Sequence, residues 1–256
     1  MINKILIKID DLKNIEEYKK IGITNFLFAI NDFSLSDNCF NIEELSKLDV
    51  NIYLDLNRII NTTEIEKLKK IKNQLNFASG ILFEDLGIYQ VLKDSKIALI
   101  WNQKHFVINS TSINFWLDRV DSAVLSNELT KDEIEFILQK VNKPVILPVY
   151  GYNQAMYTKR KLLTFFNQAK GIELIKDAKL MINDDGFMIK EINDETVFSY
   201  HKPFNYLSYI KELPADKIKL YLIDAPLSPS DIINENHPLT EHFLINKTIY
   251  KLEERI

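Results

Sequence analysis

Along most of the chain, short apolar runs alternate with charged amphipathic stretches, and this alternation constrains the fold more than any other feature. A short apolar run between turn residues reads as a buried strand. Apolar residues recurring at steps of three and four read as a helix. Lys4 to Ile9 reads as a strand and Asn14 to Ile21 as a helix ending at Gly22. Asn25 to Ile30 is the next strand, followed by a helix carrying Ile42, Leu45 and Leu48. Asn51 to Leu56 is a strand and Thr62 to Leu75 a helix. Gly80 to Phe83 and Ile97 to Trp101 are further strands. Ser112 to Val120 reads as a helix, Ser122 to Leu125 as a strand, and Pro144 to Val149 as another. Between the last two, Thr130 to Val141 opens with Thr130 and Glu133 in a capping box.

Beyond that point the cycle breaks. Leu180 to Asn183 and Phe187 to Ile192 read as a hairpin turning at Asp185-Gly186, with Thr196 to Tyr200 as a third strand. Ile218 to Ile223, ending at Asp224, is the last core strand. Strands alternating with helices imply a parallel sheet clothed in helices. Eight core strands favour an α/β fold of the (β/α)8 TIM-barrel-like class over an open doubly wound sheet, with a β-hairpin insertion before the last core strand. Neither GxGxxG nor GxxxxGK[ST] occurs, which lowers the nucleotide-binding version of the open sheet.

Several functions are excluded by composition. The formal net charge is −4, so the chain is no basic nucleic-acid sleeve, though a local basic patch remains open. Cys39 is the one cysteine. It cannot form an internal disulfide, a CxxC pair or an iron–sulfur cluster, which takes about four thiolates. No cofactor is therefore expected in this chain alone. The opening MINKILIKID carries charges inside a short apolar run, unlike a signal peptide, and no stretch approaches the roughly 20 apolar residues of a membrane span. The expected setting is cytoplasmic, with no membrane partner.

A parallel barrel builds its site where strand C-termini meet the following loops. The residues to watch there are Asp55 with Asn57, Glu84 with Asp85, Asn102, Ser126 with Glu128, Tyr150 with Asn153, and Asp224. Such a rim suits a polar ligand, although residues of these types also cap helices and close turns. Glu84 and Asp85 are neighbours on a strand end and face opposite ways, so they do not form a dyad. His237 and His242 are five apart, which is not the spacing of a helical zinc pair. There is no GxSxG elbow, and Cys39 lies in a polar loop with nothing near in sequence to activate it. The run Tyr157-Thr158-Lys159-Arg160-Lys161 is the one concentrated basic segment. Lys159 and Arg160 could hold a phosphate or carboxylate there, or lie on a solvated first helical turn, where positive charge opposes the helix dipole.

Four blocks carry a family resemblance. VILPVYGYNQAMYTKRKLLTFF, from Val145 to Phe166, resembles the signature region of peptidase family U-32, the collagenase-like proteases. DSAVLSNELTKDEI from Asp121, LIWNQKHFVINSTSINFW from Leu99 and ILFEDLG from Ile81 occupy the expected earlier places. Within the family the chain looks most like short members of the tRNA 5-hydroxyuridine (TrhP-type) hydroxylation group. The resemblance spans roughly residues 80 to 225. It implies one U-32-type barrel domain over 1–256 with an insertion at about 172–215.

The resemblance also marks departures. The signature reads Glu-x-Phe-x-His-Gly, then two cysteines. Here those positions hold Ile146, Tyr150, Gly151, Gln154 and Lys161, and Asn127 replaces the arginine before Glu128. Asp85, Asn102, Asn109, Glu128, Gly151, Lys159 and Arg160 match. The expected ligand-binding set is therefore Asp85, Asn102, Asn109, Glu128, Tyr150, Lys159 and Arg160, with no catalytic or metal residue assigned. The implied activity is hydroxylation of the tRNA wobble uridine, with prephenate as donor, tRNA as partner, and a larger cysteine-bearing family member supplying what one cysteine cannot. A collagenase-like peptidase and a diverged, non-catalytic binding barrel are the alternatives.

Overall fold

The structure, a computed structural model, describes residues 2–175, 177–182, 185–234 and 242–245. Its first half repeats one unit. The strands are β1 (Ile5–Lys8), β2 (Asn25–Ala29), β3 (Asn51–Leu56), β4 (Gly80–Phe83), β5 (Ala98–Trp101), β6 (Ser122–Ala123) and β7 (Val145–Gly151). Between them run α1 (Ile15–Lys20), α2 (Ile42–Leu45), α3 (Thr62–Ile71), α4 (Leu86–Leu92), α5 (Ser110–Leu117) and α6 (Lys131–Lys140). The second half adds β8 (Gln154–Thr158), α7 (Leu162–Lys170), β9 (Asp177–Ile182), β10 (Asp185–Ile192), β11 (Glu195–Tyr200), β12 (Phe204–Asn205), β13 (Ile218–Ile223), α8 (Pro229–Asn234) and α9 (His242–Ile245).

Local chemistry sets the boundaries. The helix starts are made by side chains: Asn61 and Glu64 form a capping box on α3, and Thr130 and Glu133 do the same on α6. Gly22, just past α1, takes φ +91, a value that costs glycine no side-chain clash. The helix read over Thr62 to Leu75 is α-helical to Ile71 and continues as a 3-10 helix to Phe77.

The main sheet has the order β12-β7-β13-β1-β2-β3-β4-β5-β6 and is parallel except for β12 on β7. The sheet is curled. An isolated parallel bridge joins Val124 to Ile146, and the Leu125 N–H donates to the Ile146 carbonyl at 2.9 Å. The result is a barrel-like α/β fold.

Side-chain alternation then fills two spaces. Leu6, Leu27, Tyr53, Leu82, Ile100, Val124, Ile146, Leu220 and Leu222 form a buried cluster of their own inside the curl. Their strand neighbours Ile5, Ile7, Phe26, Phe28, Leu54, Leu56, Ile81 and Phe83 belong to the larger core under the helices. Burial on both faces is why these strands read as continuous apolar runs.

A second, antiparallel sheet has the order β8-β11-β10-β9. The expected hairpin is present, but its turn is displaced. Asp185 pairs with Ile182 and Gly186 with Met181, so both belong to β10 and not to the turn. The connecting residues 183–184 lie outside the described residues. This sheet also takes in β8, upstream of the expected insertion; Tyr157 and Thr158 are strand residues, not the start of a helix.

Candidate functional site

The alternation that fills the interior also builds the site. Two residues beyond Leu6, Tyr53, Leu82, Ile100 and Leu222 come Lys8, Asp55, Glu84, Asn102 and Asp224. Period two sends these side chains to the same face, at the open C-terminal end of the curl. The mouth is therefore lined by the first polar residues above an apolar layer.

Lys8 is the centre of this group. Its Nζ donates to Asp224 Oδ1 at 3.1 Å and to Asp55 Oδ2 at 3.4 Å. Asn57 Nδ2 donates to Asp55 Oδ2 at 3.0 Å, and Asn57 Oδ1 accepts from the Leu35 N–H at 2.6 Å. Burial opposes the charge on Lys8, but Asp224 and Asp55 outweigh it and hold the ammonium above its ordinary range. For Asp55, burial wins and its carboxyl is pushed up; for Asp224, burial is outweighed by Lys8 and Lys104, and its carboxyl is held down. Lys8 is thus a fixed cation and Asp224 a fixed anion.

Glu84 is different. It is buried, its Oε1 has no hydrogen-bond partner, and the nearest cation, Lys104 Nζ, stays at 3.9 Å. Burial pushes its carboxyl up to about 7, only partly relieved by Lys104. A carboxyl poised there can give or take a proton near neutrality. Lys104 also donates to Gln154 Oε1 at 3.3 Å. Next to it, His105 Nδ1 lies 3.1 Å from Glu128 Oε1, a hydrogen bond that raises the imidazole above its usual range.

A cavity of about 250 Å³ lies between this mouth and the second sheet. Lys8, Asp10, Asn57, Lys104 and Asp224 face it from below; Met188, Lys190, Val197 and Ser199 face it from β10 and β11. A smaller space of about 20 Å³, shared by Asn102, Lys104, Tyr152 and Asp224, reaches toward the seam at Val124 and Pro148.

The second sheet is held by a buried ion cluster. Arg58 donates to Glu64 Oε1 at 3.0 Å and to Glu195 Oε1 at 2.5 Å, and the Tyr157 hydroxyl donates to Glu195. Lys159 Nζ donates to the Ile59 carbonyl at 2.8 Å and to Glu64 Oε2 at 3.3 Å, with Glu195 Oε1 at 3.6 Å. On the far side, Lys190 pairs with Asp37 at 2.7 Å.

The residues singled out from the sequence thus fall in several settings. Asn102 is buried at the mouth. Glu128 pairs with His105, the residue after Lys104, and lines neither mouth space. Tyr150 is half-buried and pairs with Asn205 in the β7–β12 ladder. Asp85 caps α4, accepting from the Gly87 and Ile60 N–H groups, and Asn109 caps α5 through the Ser112 N–H. Lys159 belongs to the ion cluster, and Arg160 is exposed, its carbonyl accepting from the Thr196 hydroxyl. Lys8, Lys104 and Arg58 are the contributors that sequence reading passed over. The signal for Lys8 was present: if Leu6 faces inward, so does Lys8. Among the described residues, no group of three or more His, Cys, Asp or Glu is arranged to hold a metal ion.

The family model for peptidase family U32 matches residues 16–172, more than half of the chain. The chain belongs to peptidase family U32. The match begins upstream of the blocks that carried the resemblance and ends before β9. Asp55, Glu84 and Lys104 of this U32 protein therefore lie inside the matched segment, and Lys8 and Asp224 outside it. A search of curated proteins finds no match. Among the described residues no helix is long and apolar enough to cross a membrane.

Proposed function

We propose that this U32 chain is a (β/α)8 barrel, its last seam reduced to one bridge, that holds a small polar co-substrate in its mouth and serves hydroxylation of the tRNA wobble uridine. The observation that carries the small-ligand part is the cavity of about 250 Å³ between the mouth and the second sheet. A space of that size under a sheet suits a small molecule better than an extended polypeptide. Among the described residues Lys104 has one hydrogen-bond partner, Gln154, of the three its ammonium can serve. Its spare donors, with Lys190 across the cavity, suit a carboxylate-bearing donor of the prephenate type. Glu84 beside Lys104 is the group able to move a proton near neutral pH.

The TrhP-type assignment within the family rests on the resemblance. In that reading the cysteine positions of the signature are Gln154 and Lys161, here bonded to Lys104 and Asp194, and the glutamate position is Ile146 in the apolar interior. The oxygen source and electron acceptor that the reaction needs are then assigned to a larger, cysteine-bearing relative working with this chain. A peptidase is the competing reading, favoured by the description of the family itself.

Nucleoside analysis of tRNA from a deletion strain tests the proposal. Loss of wobble 5-hydroxyuridine, restored by the wild-type chain and not by Lys104→Ala, supports it. Unchanged modification overturns it. Hydrolysis of gelatin or peptides that disappears in Glu84→Gln would transfer the site to the peptidase reading.

A further inference from the structure

A second concavity lies on the rim beside the mouth, outside the cavity already described. It is a groove of about 620 Å³ between the start of α4 and the segment that leads into α5. Its walls are large apolar side chains left in water: Leu86, Phe106, Ile108 and Phe115. Phe106 is 65% exposed and Phe115 52%, although a soluble protein has no packing reason to display both side by side. Trp101 and Trp116 form its floor, stacked on each other with ring centroids 4.9 Å apart.

Polar residues interrupt this apolar lining: Gln103, Asn109, Thr111 and Ser112, and the buried Glu84. Glu84 lines the groove as well as standing at the mouth, and its Oε1 is buried without a hydrogen-bond partner. Filling the groove with an aliphatic or plain aromatic group would leave that carboxyl unpaired and more deeply buried, at a cost in free energy. The matching ligand offers a flat π-face to the rings and an N–H or carbonyl edge to the carboxyl. At one end, Thr111 and Ser112 lie in the first turn of the eight-residue helix α5; Asn109 takes up the Ser112 N–H, and the helix dipole there favours an anion.

We infer that this groove is a nucleotide site, in which a single unstacked base lies against Phe106 and Phe115, meets Glu84 with its hydrogen-bonding edge, and directs its phosphate toward the start of α5. Stacking on exposed rings combined with reading of a base edge is how proteins hold unpaired bases. The inference stands on the groove's own geometry. It deepens the proposed function only in placing a base beside the mouth, with Glu84 between the two spaces.

The two tryptophans of the chain both line the groove, so tryptophan fluorescence of the full-length protein reports occupancy directly. The probes are uridine 5′-monophosphate and a single-stranded oligouridylate of about ten nucleotides, the length scale of a single-strand binding groove. Saturable quenching is expected. Phe106→Ala and Phe115→Ala should each weaken it roughly tenfold, in the range of one base stacked on one aromatic ring. Both side chains are exposed, so loss of binding with an unchanged circular dichroism spectrum cannot be assigned to unfolding. Glu84→Gln should alter the preference among the four bases. Tight binding of the oligonucleotide alone identifies the source as RNA; equal binding of the monophosphate identifies a free nucleotide. No quenching by either probe overturns the inference, as does affinity unchanged in both phenylalanine variants. Binding of a base with tRNA modification intact in the deletion strain would retire the proposed function and leave the groove standing. The opposite pair of results would retire the groove alone.

Discussion

Glu84 and Lys8 occupy the same rim, yet their environments drive them in opposite directions. Glu84 is buried with no hydrogen bond to its Oε1, and its carboxyl rises from 4.5 to about 7. Below about pH 4.5 it is protonated in both the folded and the unfolded chain and has no effect. As pH rises through about 7 the unfolded chain binds fewer protons than the native one, so stability falls. At about 1.4 kcal/mol per pH unit the loss approaches roughly 3 kcal/mol by about pH 8. Glu84→Gln should abolish this decline, as urea denaturation at pH 5 and pH 8 will show.

Lys8 behaves conversely. Removing its charge takes away the cation bonded to both Asp55 and Asp224 and leaves them only the more distant Lys104. Lys8→Met should cost roughly 3–5 kcal/mol near neutral pH, the range for breaking a buried pair. Asp224 is held down in the native protein, so its contribution is present above its ordinary value and is lost as pH falls. The deficit of Lys8→Met should therefore shrink as pH falls below about 4 in the same denaturation experiment.

At the scale of elements, Arg58, Glu64, Tyr157, Lys159 and Glu195 join α3 and the loop after β3 to β8 and β11. Glu195→Gln keeps the shape of the acceptor and removes its charge from beside Arg58 and Lys159. Amides of β8, β10 and β11 should then exchange at least about tenfold faster, the equivalent of roughly 1.4 kcal/mol of local stability, while those of β2 to β4 stay unchanged. Hydrogen-exchange mass spectrometry separates the two groups.

Much of this level was legible in the sequence. The apolar runs gave β3, β4 and β13 residue for residue, because burial on both faces leaves little room for polar residues. The Thr130–Glu133 box marked the start of α6 for an equally local reason. Strand β8 was not legible: Gln154 to Thr158 is partly exposed and shows no alternation, and its place depends on pairing with β11, about 40 residues later. Lys159 was read as a free cation because its partners, Glu64 and Glu195, are remote in sequence. Asp85 and Asn109 turned out to cap helices, a role their residue types allow anywhere a helix begins.

For the whole molecule, the joins of the curled parallel sheet are not uniform. Seven of its joins are ladders with three or more paired positions, or with two between β5 and β6, whereas the segment just after β6 reaches β7 through the isolated bridge of Val124 to Ile146. The Leu125 amide, which donates across that join, should exchange with solvent before the amides of β2 or β3 in the same experiment that follows Glu195→Gln. The smaller mouth space lies against this same join, walled by Val124, Leu125 and Pro148 on one side and Asp224 on the other. A curled sheet tied at one place by a single bridge gives way there when something is wedged into it. An occupant of the mouth would tighten or spread that one gap and leave the laddered strands still, so ligand binding would be felt by the helices α5 and α6 on either side of it before the other helices.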